Sequence, residues 1–200
     1  MNIEKLPVGL FQANCYIVTL SNNQVYVIDP GGEPEKLISK LTRVDKILLT
    51  HAHFDHIGAL NALSKAFPKT QILLHSAAVY DKTKILEVIS QISTELVPMF
   101  NSEDYNLPEK VTRFNDGDKI GPFKVIFTPG HSKGSCCFYD TKDKILFSGD
   151  TLMQGSYGRC DLEGGNIDEL FSSLEKLRTL PEDTKVFPGH GANTTIKAER

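Results

Sequence analysis

The run Thr50-His51-Ala52-His53-Phe54-Asp55-His56 places three histidines and an aspartate within six positions. Imidazole nitrogens and carboxylate oxygens are good ligands for zinc, and they also suit iron and manganese. In an extended segment, residues i and i+2 point the same way. His51 and His53 can therefore reach one ion together. Asp55 and His56 come after the chain has turned, so they face a neighbouring point. Two metals side by side, about 3.5–4 Å apart in hydrolytic sites, suit that spacing. Asp55 also stands where it would cap a following helix.

Six residues cannot complete such a shell, and the chain offers more donors. His131 lies in Thr128-Pro129-Gly130-His131-Ser132, and His190 in Phe187-Pro188-Gly189-His190-Gly191. Asp150 closes Leu146-Phe147-Ser148-Gly149-Asp150. Each follows an apolar, strand-like run, and loops held by a rigid sheet are where metal sites are built. His75 ends a strand outside these motifs and reads as structural or surface. Asp29, at the end of another strand, reads as a turn residue.

In this order, His-x-His-x-Asp-His, Pro-Gly-His, Gly-Asp and Pro-Gly-His resemble the motifs of the metallo-β-lactamase superfamily. The early Val27-Ile28-Asp29-Pro30-Gly31-Gly32 matches that family's first motif, and the resemblance gives Asp29 a second reading, as support for a ligand histidine, which commonly donates its second N–H to a carboxylate. The resemblance runs from roughly Gln12 to Thr195 and is strongest to the small, single-domain glyoxalase II-like hydrolases. It implies an αββα sandwich of two mixed sheets with helices outside. It assigns His51, His53 and His131 to one metal, and Asp55, His56 and His190 to a second, with Asp150 bridging. Two zinc ions are implied, and iron or manganese would accept the same set. The implied reaction is cleavage of a thioester, such as a hydroxyacylglutathione, by a metal-bound hydroxide that Asp55 orients. Arg159, in Gly155-Ser156-Tyr157-Gly158-Arg159-Cys160-Asp161, resembles a family cation that binds a substrate carboxylate.

Departures narrow the choice. Two-domain glyoxalase II carries a C-terminal helical domain with further glutathione contacts, and nothing here corresponds to it. The nuclease branches carry extra domains that are also missing. Flavodiiron proteins have an acidic residue in place of His53, and class B1 lactamases a cysteine in place of Asp150. Persulfide dioxygenases share the Gly-Arg-x-Asp element and hold one iron through positions matching His51, His131 and Asp150; they give the alternative reading. Hydrolysis of another ester or of a lactone is a further alternative.

Several elements must position these residues. Lys46-Ile47-Leu48-Leu49 reads as a buried strand. After the turn, Ile57, Leu60, Leu63 and Phe67 share one helical face, which predicts a helix running to Phe67. Strands are expected at Glu4–Val8, Cys15–Thr19, Gln24–Ile28, Gln71–Leu74, Val111–Phe114, Lys119-Ile120, Phe123–Phe127, Ser135–Tyr139, Lys144–Phe147 and Lys185–Phe187. A short helix starts near Pro34. From Ala77 to about Phe100, Ile85, Leu86, Ile89, Ile92, Leu96 and Met99 recur at helical steps, with Pro98 ending or bending the helix. Asn101 to Lys110 reads as loop. Asn166 opens the last helix, with Glu169 as capping-box partner and Ile167, Leu170, Phe171, Leu174 and Leu177 as its apolar face. The pattern is a layered α/β or α+β domain spanning 1–200.

Composition agrees. The 200 residues are 40% hydrophobic and 24% charged, ordinary for one globular domain. A net charge of −3 offers nothing to nucleic acid or an anionic membrane. No apolar run approaches the roughly 20 residues that span a bilayer, and Met1–Gln12 has no signal-peptide pattern. The four cysteines lack CxxC spacing and read as free thiols of a reducing cytoplasm. The expected partner is a small-molecule thioester, and no oligomeric state is implied.

Overall fold

The structure, a computed structural model, describes residues 1–81, 85–92, 94–97, 100, 105 and 107–200. Two six-stranded sheets face each other. The first runs in chain order: β1 (Asn2–Val8), β2 (Ala13–Thr19), β3 (Val25–Ile28), β4 (Lys46–Leu49), β5 (Gln71–His75) and β6 (Val111–Phe114). Its first three strands pair antiparallel, and β3 to β6 pair parallel. The second comprises β7 (Lys119–Ile120), β8 (Phe123–Phe127), β9 (Cys136–Asp140), β10 (Ile145–Gly149), β11 (Lys185–Pro188) and β12 (Thr194–Thr195). Only β10 and β11 pair parallel there. The helices are α1 (Pro34–Lys40), α2 (Phe54–Ile57), α3 (Leu60–Ala66), α4 (Ile85–Ile92) and α5 (Ile167–Arg178).

Successive strand residues point to opposite faces, and the central strands here are buried on both. Tyr16, Val18, Ile28 and Leu48 meet Phe123, Val125, Phe138 and Phe147 between the sheets. Cys15, Ile17, Ile47 and Leu49 face outward onto Leu37 of α1 and Leu60 and Leu63 of α3. Cys137, Tyr139 and Leu146 face the other way, onto Leu177 of α5. The layers are therefore helix, sheet, sheet, helix, as the resemblance implied.

Three helices depart from expectation. The helix expected to run unbroken to Phe67 is interrupted at Gly58-Ala59. The Ala59 N–H donates to Pro30 O (2.9 Å), and Gly58 lies directly against the Gly31 carbonyl, leaving no room for a side chain at Gly58. The helix expected from Ala77 is described as helix only over Ile85–Ile92. Ala77–Tyr80 is not helical, because Arg113 holds the carbonyls of His75 and Ala78 (3.1 and 3.2 Å) and Gly134 packs against Ala78. Pro98 and Met99 lie outside the described residues, as do 101–104 and 106 of the expected loop. In α5, Leu170 and Leu177 are buried, but Ile167 and Phe171 are 40% and 47% exposed. Asn166 caps that helix through Asp168 and Glu169 N–H groups. Its own N–H goes to Gly130 O (2.8 Å), not to the Glu169 side chain of a full capping box.

The site-bearing loops follow from strand direction. β8, β10 and β11 run the same way, so Pro129–His131, Asp150 and Gly189-His190 leave one edge of their sheet. β3 and β4 are parallel, and Asp29 and His51–His56 leave their ends. Cross-sheet bonds close that edge: Cys136 N–H to Thr50 O (2.9 Å) and Asn14 N–H to Gly189 O (2.6 Å).

A Cβ on Gly31 would overlap the Asp55 carbonyl, whereas one on Gly117 would meet open space. Gly31→Ala should cost about 3 kcal/mol, the upper end for overpacking. Gly117→Ala should cost about 1 kcal/mol, for its positive φ alone. Urea unfolding midpoints compare the two; equal costs would show that the contact between Gly31 and the Asp55 carbonyl yields freely.

Candidate metal centre

The seven sequence-predicted ligand residues converge where the two sheets meet. His51 and His131 bring their Nε2 atoms to 3.2 Å, and His53 completes a first group with them. His56 and His190 bring theirs to 3.3 Å, and Asp55 Oδ2 lies 3.2 Å from His190 Nε2. Asp150 stands between the groups, with Oδ2 at 3.6 Å from both His131 and His190 and Oδ1 at 3.5 Å from His56.

Proton placement shows what these atoms face. His131 Nδ1–H donates to Arg159 O (2.6 Å), and His190 Nδ1–H to Phe11 O (3.1 Å). His56 Nδ1–H donates to Asp29 Oδ2 (3.0 Å). The Thr50 hydroxyl donates to Asp29 Oδ2 (2.6 Å), so it accepts from His51 Nδ1–H (3.0 Å). All four rings thus spend their proton outward and turn an Nε2 lone pair inward. Lone pairs at 3.2–3.3 Å repel one another unless a cation lies between them. Two nitrogens on one tetrahedral zinc, each about 2.0–2.1 Å from it, are about 3.3–3.4 Å apart. Asp150 Oδ1 is buried and without a hydrogen-bond partner, as a carboxylate reserved for a metal would be. The residues present fit a divalent metal.

The charge distribution has two ends. Burial pushes His51 well below the ordinary imidazole range and His53 down to about 3, with neighbouring rings adding to both. Burial also lowers His131. At the other end burial acts the same way on His56, but Asp150, Asp55 and Asp29 outweigh it and push the ring up to about 10. His190 is raised too, against burial, by Asp55 and Asp150. Asp55 is held below the usual carboxylate range, against burial, by His56 and His190. The carboxylate-rich end thus calls for positive charge, which a metal supplies in place of protons.

Asp29, His51 and His56 also lie close together. They form no third site, because the Asp29 carboxylate is already committed to Thr50 and His56. It accepts the Thr50 N–H at Oδ1 (2.8 Å) as well as the two bonds at Oδ2. Of the two readings open for Asp29, support of the ligand shell is the one the structure shows.

One expectation changes, and two other residues find their places. Asp55 does not cap α2: His53 is at the N-cap and Asp55 sits inside the first turn. Arg159 brings its carbonyl to the centre, but its guanidinium forms a two-pronged pair with Asp161 (2.8 and 2.7 Å) in an exposed loop. His75 is buried, stacked on Phe127 at 4.3 Å, and takes no part. Sequence reasoning missed Thr50, which relays Asp29 to His51. It also missed Asn14 and Tyr16, whose side chains bond Pro188 O (2.9 and 2.6 Å) beneath His190. A buried polar residue in an apolar strand was the only signal for Asn14.

The sequence profile of the metallo-beta-lactamase superfamily matches residues 8–190. The chain is 39% identical over 208 residues to "probable metallo-hydrolase YqgX" of Bacillus subtilis, covering 100% of this chain and 95% of that protein. It is 35% identical over 213 residues to hydroxyacylglutathione hydrolase GloC of Haemophilus influenzae, with coverage of 100% and 95%. The crystal structure of TTHA1623 in a di-iron-bound form superposes with a TM-score of 0.84 at 36% identity, covering 98% of this chain and 96% of that one. No helix among the described residues is long and apolar enough to cross a membrane.

Asp29→Asn should weaken metal binding about 10- to 100-fold, the usual cost of losing an outer partner of a ligand histidine. Competition with a chromophoric chelator measures this. Unchanged affinity would mean that Asp29 only shapes the turn.

Proposed function

The chain belongs to the metallo-beta-lactamase superfamily, and from that premise we propose that this metallo-hydrolase is a binuclear thioesterase of the glyoxalase II type. The observation that carries the reading is the pair of ligand groups with Asp150 between them. A mononuclear iron dioxygenase needs only His51, His131 and Asp150. It leaves unexplained why His56, His190 and Asp55 form an equally close second group.

His51, His53 and His131 would hold one metal and Asp55, His56 and His190 the other, with Asp150 shared. When bound, the metals polarise a carbonyl and bring the pKa of water towards neutrality. The chain's own residues do the rest. Asp55, whose Oδ2 faces His190, would bind through that oxygen and orient the attacking water with the other. The outward Nδ1–H bonds lock the His51, His56, His131 and His190 rings against rotation, so these four need no rearrangement as charge develops on the carbonyl oxygen. Zinc fits this donor set, and so does iron. A small-molecule thioester is the partner, with neither nucleic acid nor membrane required. All four cysteines are free thiols, in keeping with the cytoplasm.

Arg159 would hold a substrate carboxylate. Its pair with Asp161 is exposed, and such pairs are worth little, so the guanidinium can exchange partners at small cost.

Elemental analysis should find two metals per chain, and acyl-glutathione thioesters should be hydrolysed. Asp150→Ala should lose metal and kcat together. A fully loaded protein inactive on every acyl-glutathione would sink the proposal.

Arg159→Ala should keep its metal and lose about 10- to 150-fold in kcat/KM, mostly through KM, for one charge-assisted bond of about 1.5–3 kcal/mol. A simple ester without a carboxylate should be cleaved equally by both proteins. Loss of metal would instead make Arg159 part of the structural shell.

A further inference from the structure

Two clefts open on the metal centre, one on each side of Phe54. The first is lined by His53 and by Ala52, Phe54, Val79, Ile85 and Val88. The second is lined by Asp55 with Glu33, Glu35, Asn61 and Lys65, by the backbone of Gly31 and Gly32, and by the apolar Leu10, Phe11 and Phe100. The two members of the His-Phe-Asp turn that face the metals are thus the inner ends of two different channels.

Their chemistry differs. In the first cleft Ile85 and Phe54 are buried and packed together with Ile89 of α4. The charged lining residues, Asp81, Lys133 and Glu163, are exposed, as are Glu33, Glu35 and Lys65 of the second cleft. Val79 lies in its wall and is 72% exposed, the largest exposure among the big apolar side chains described. Covering a valine so placed with an apolar group is favourable, because it removes apolar surface from water without burying a polar group. The wall also has a fixed shape: Ala78 is held by Arg113 and backed by Gly134, so Val79 is presented on anchored backbone.

A thioester has two arms, and only one can be hydrocarbon. Thiol carriers bear peptide and charged groups, whose burial against Phe54, Ile85 and Val88 without partners is costly. An acyl chain carries no such groups. On the thioesterase reading above, we propose that the cleft beside His53 is the subsite for the acyl arm, and that it selects apolar chains of several carbons over short hydroxylated ones. The second cleft has apolar lining as well, but a larger share of its surface is polar, with Asn61 and the backbone of Gly31 and Gly32 beside Asp55, and it suits the polar carrier.

Kinetics of the metal-loaded enzyme on S-acetyl-, S-butanoyl- and S-hexanoylglutathione test this. The expected result is a rise in kcat/KM of about fourfold per methylene until the cleft is filled. Val79→Asp should flatten that dependence while metal content stays the same. A flat series in the wild type overturns the proposal. So does a Val79→Asp variant that lowers every member by one common factor. If no acyl-glutathione is hydrolysed, the thioesterase reading falls, and the cleft is judged by binding instead. Calorimetry should then show S-hexylglutathione binding more tightly than S-methylglutathione to the wild type, with the difference lost in Val79→Asp; equal affinities for the wild type overturn the subsite.

Discussion

One buried carboxylate ties the two halves of the metal centre together. Asp29 reaches His56 directly and His51 through the Thr50 hydroxyl, so one group orients a ring in each ligand group. The cost is visible in its backbone, which has a φ of +50°, a region that non-glycine residues rarely occupy. Such strain is of the order of 1–3 kcal/mol and persists where the surroundings over-determine it. Here they do. The Asp29 N–H is tied to Leu48 O, and its side chain accepts three hydrogen bonds. A relaxed Asp29 would point elsewhere, and His51 and His56 would lose their shared reference.

Glycine has the same role on the other side of the cluster. A side chain on Gly189 would strike Asp150, and one on Gly158 would strike both Asp150 and His131. The Pro-Gly-His and Gly-Arg patterns are therefore statements about space. They let backbone come close enough for its carbonyls and amides to pin the ligand rings, as Arg159 O does for His131.

Much of this was legible in the sequence, for identifiable reasons. β4 and β10 are buried on both faces, so they read as unbroken apolar runs, and their ends mark where the loops begin. The close spacing from His51 to His56 made those residues conspicuous. What stayed hidden depended on partners distant in the chain. The break at Gly58 is made by Pro30 and Gly31, and the loss of helix at Ala77–Tyr80 by Arg113 and Gly134. The apolar stripe of α5 is buried only in part, and Phe171 turns to meet Tyr157 edge-on at the surface (5.7 Å). Periodicity reports an apolar side; it does not report how wide the contact beneath it will be.

The division of donors between the sheets bears on how the molecule assembles. The first sheet contributes His51, His53, Asp55 and His56, while His131, Asp150 and His190 belong to the second. A chain with only its first sheet formed would hold half of each coordination sphere. Contacts of such long sequence separation form late and slowly. High-affinity metal capture therefore requires both sheets to have docked, through links such as Asn14 to Gly189 and Thr50 to Cys136. The ion would act as a latch, rewarding correct closure of the sandwich and staying indifferent to partly assembled forms.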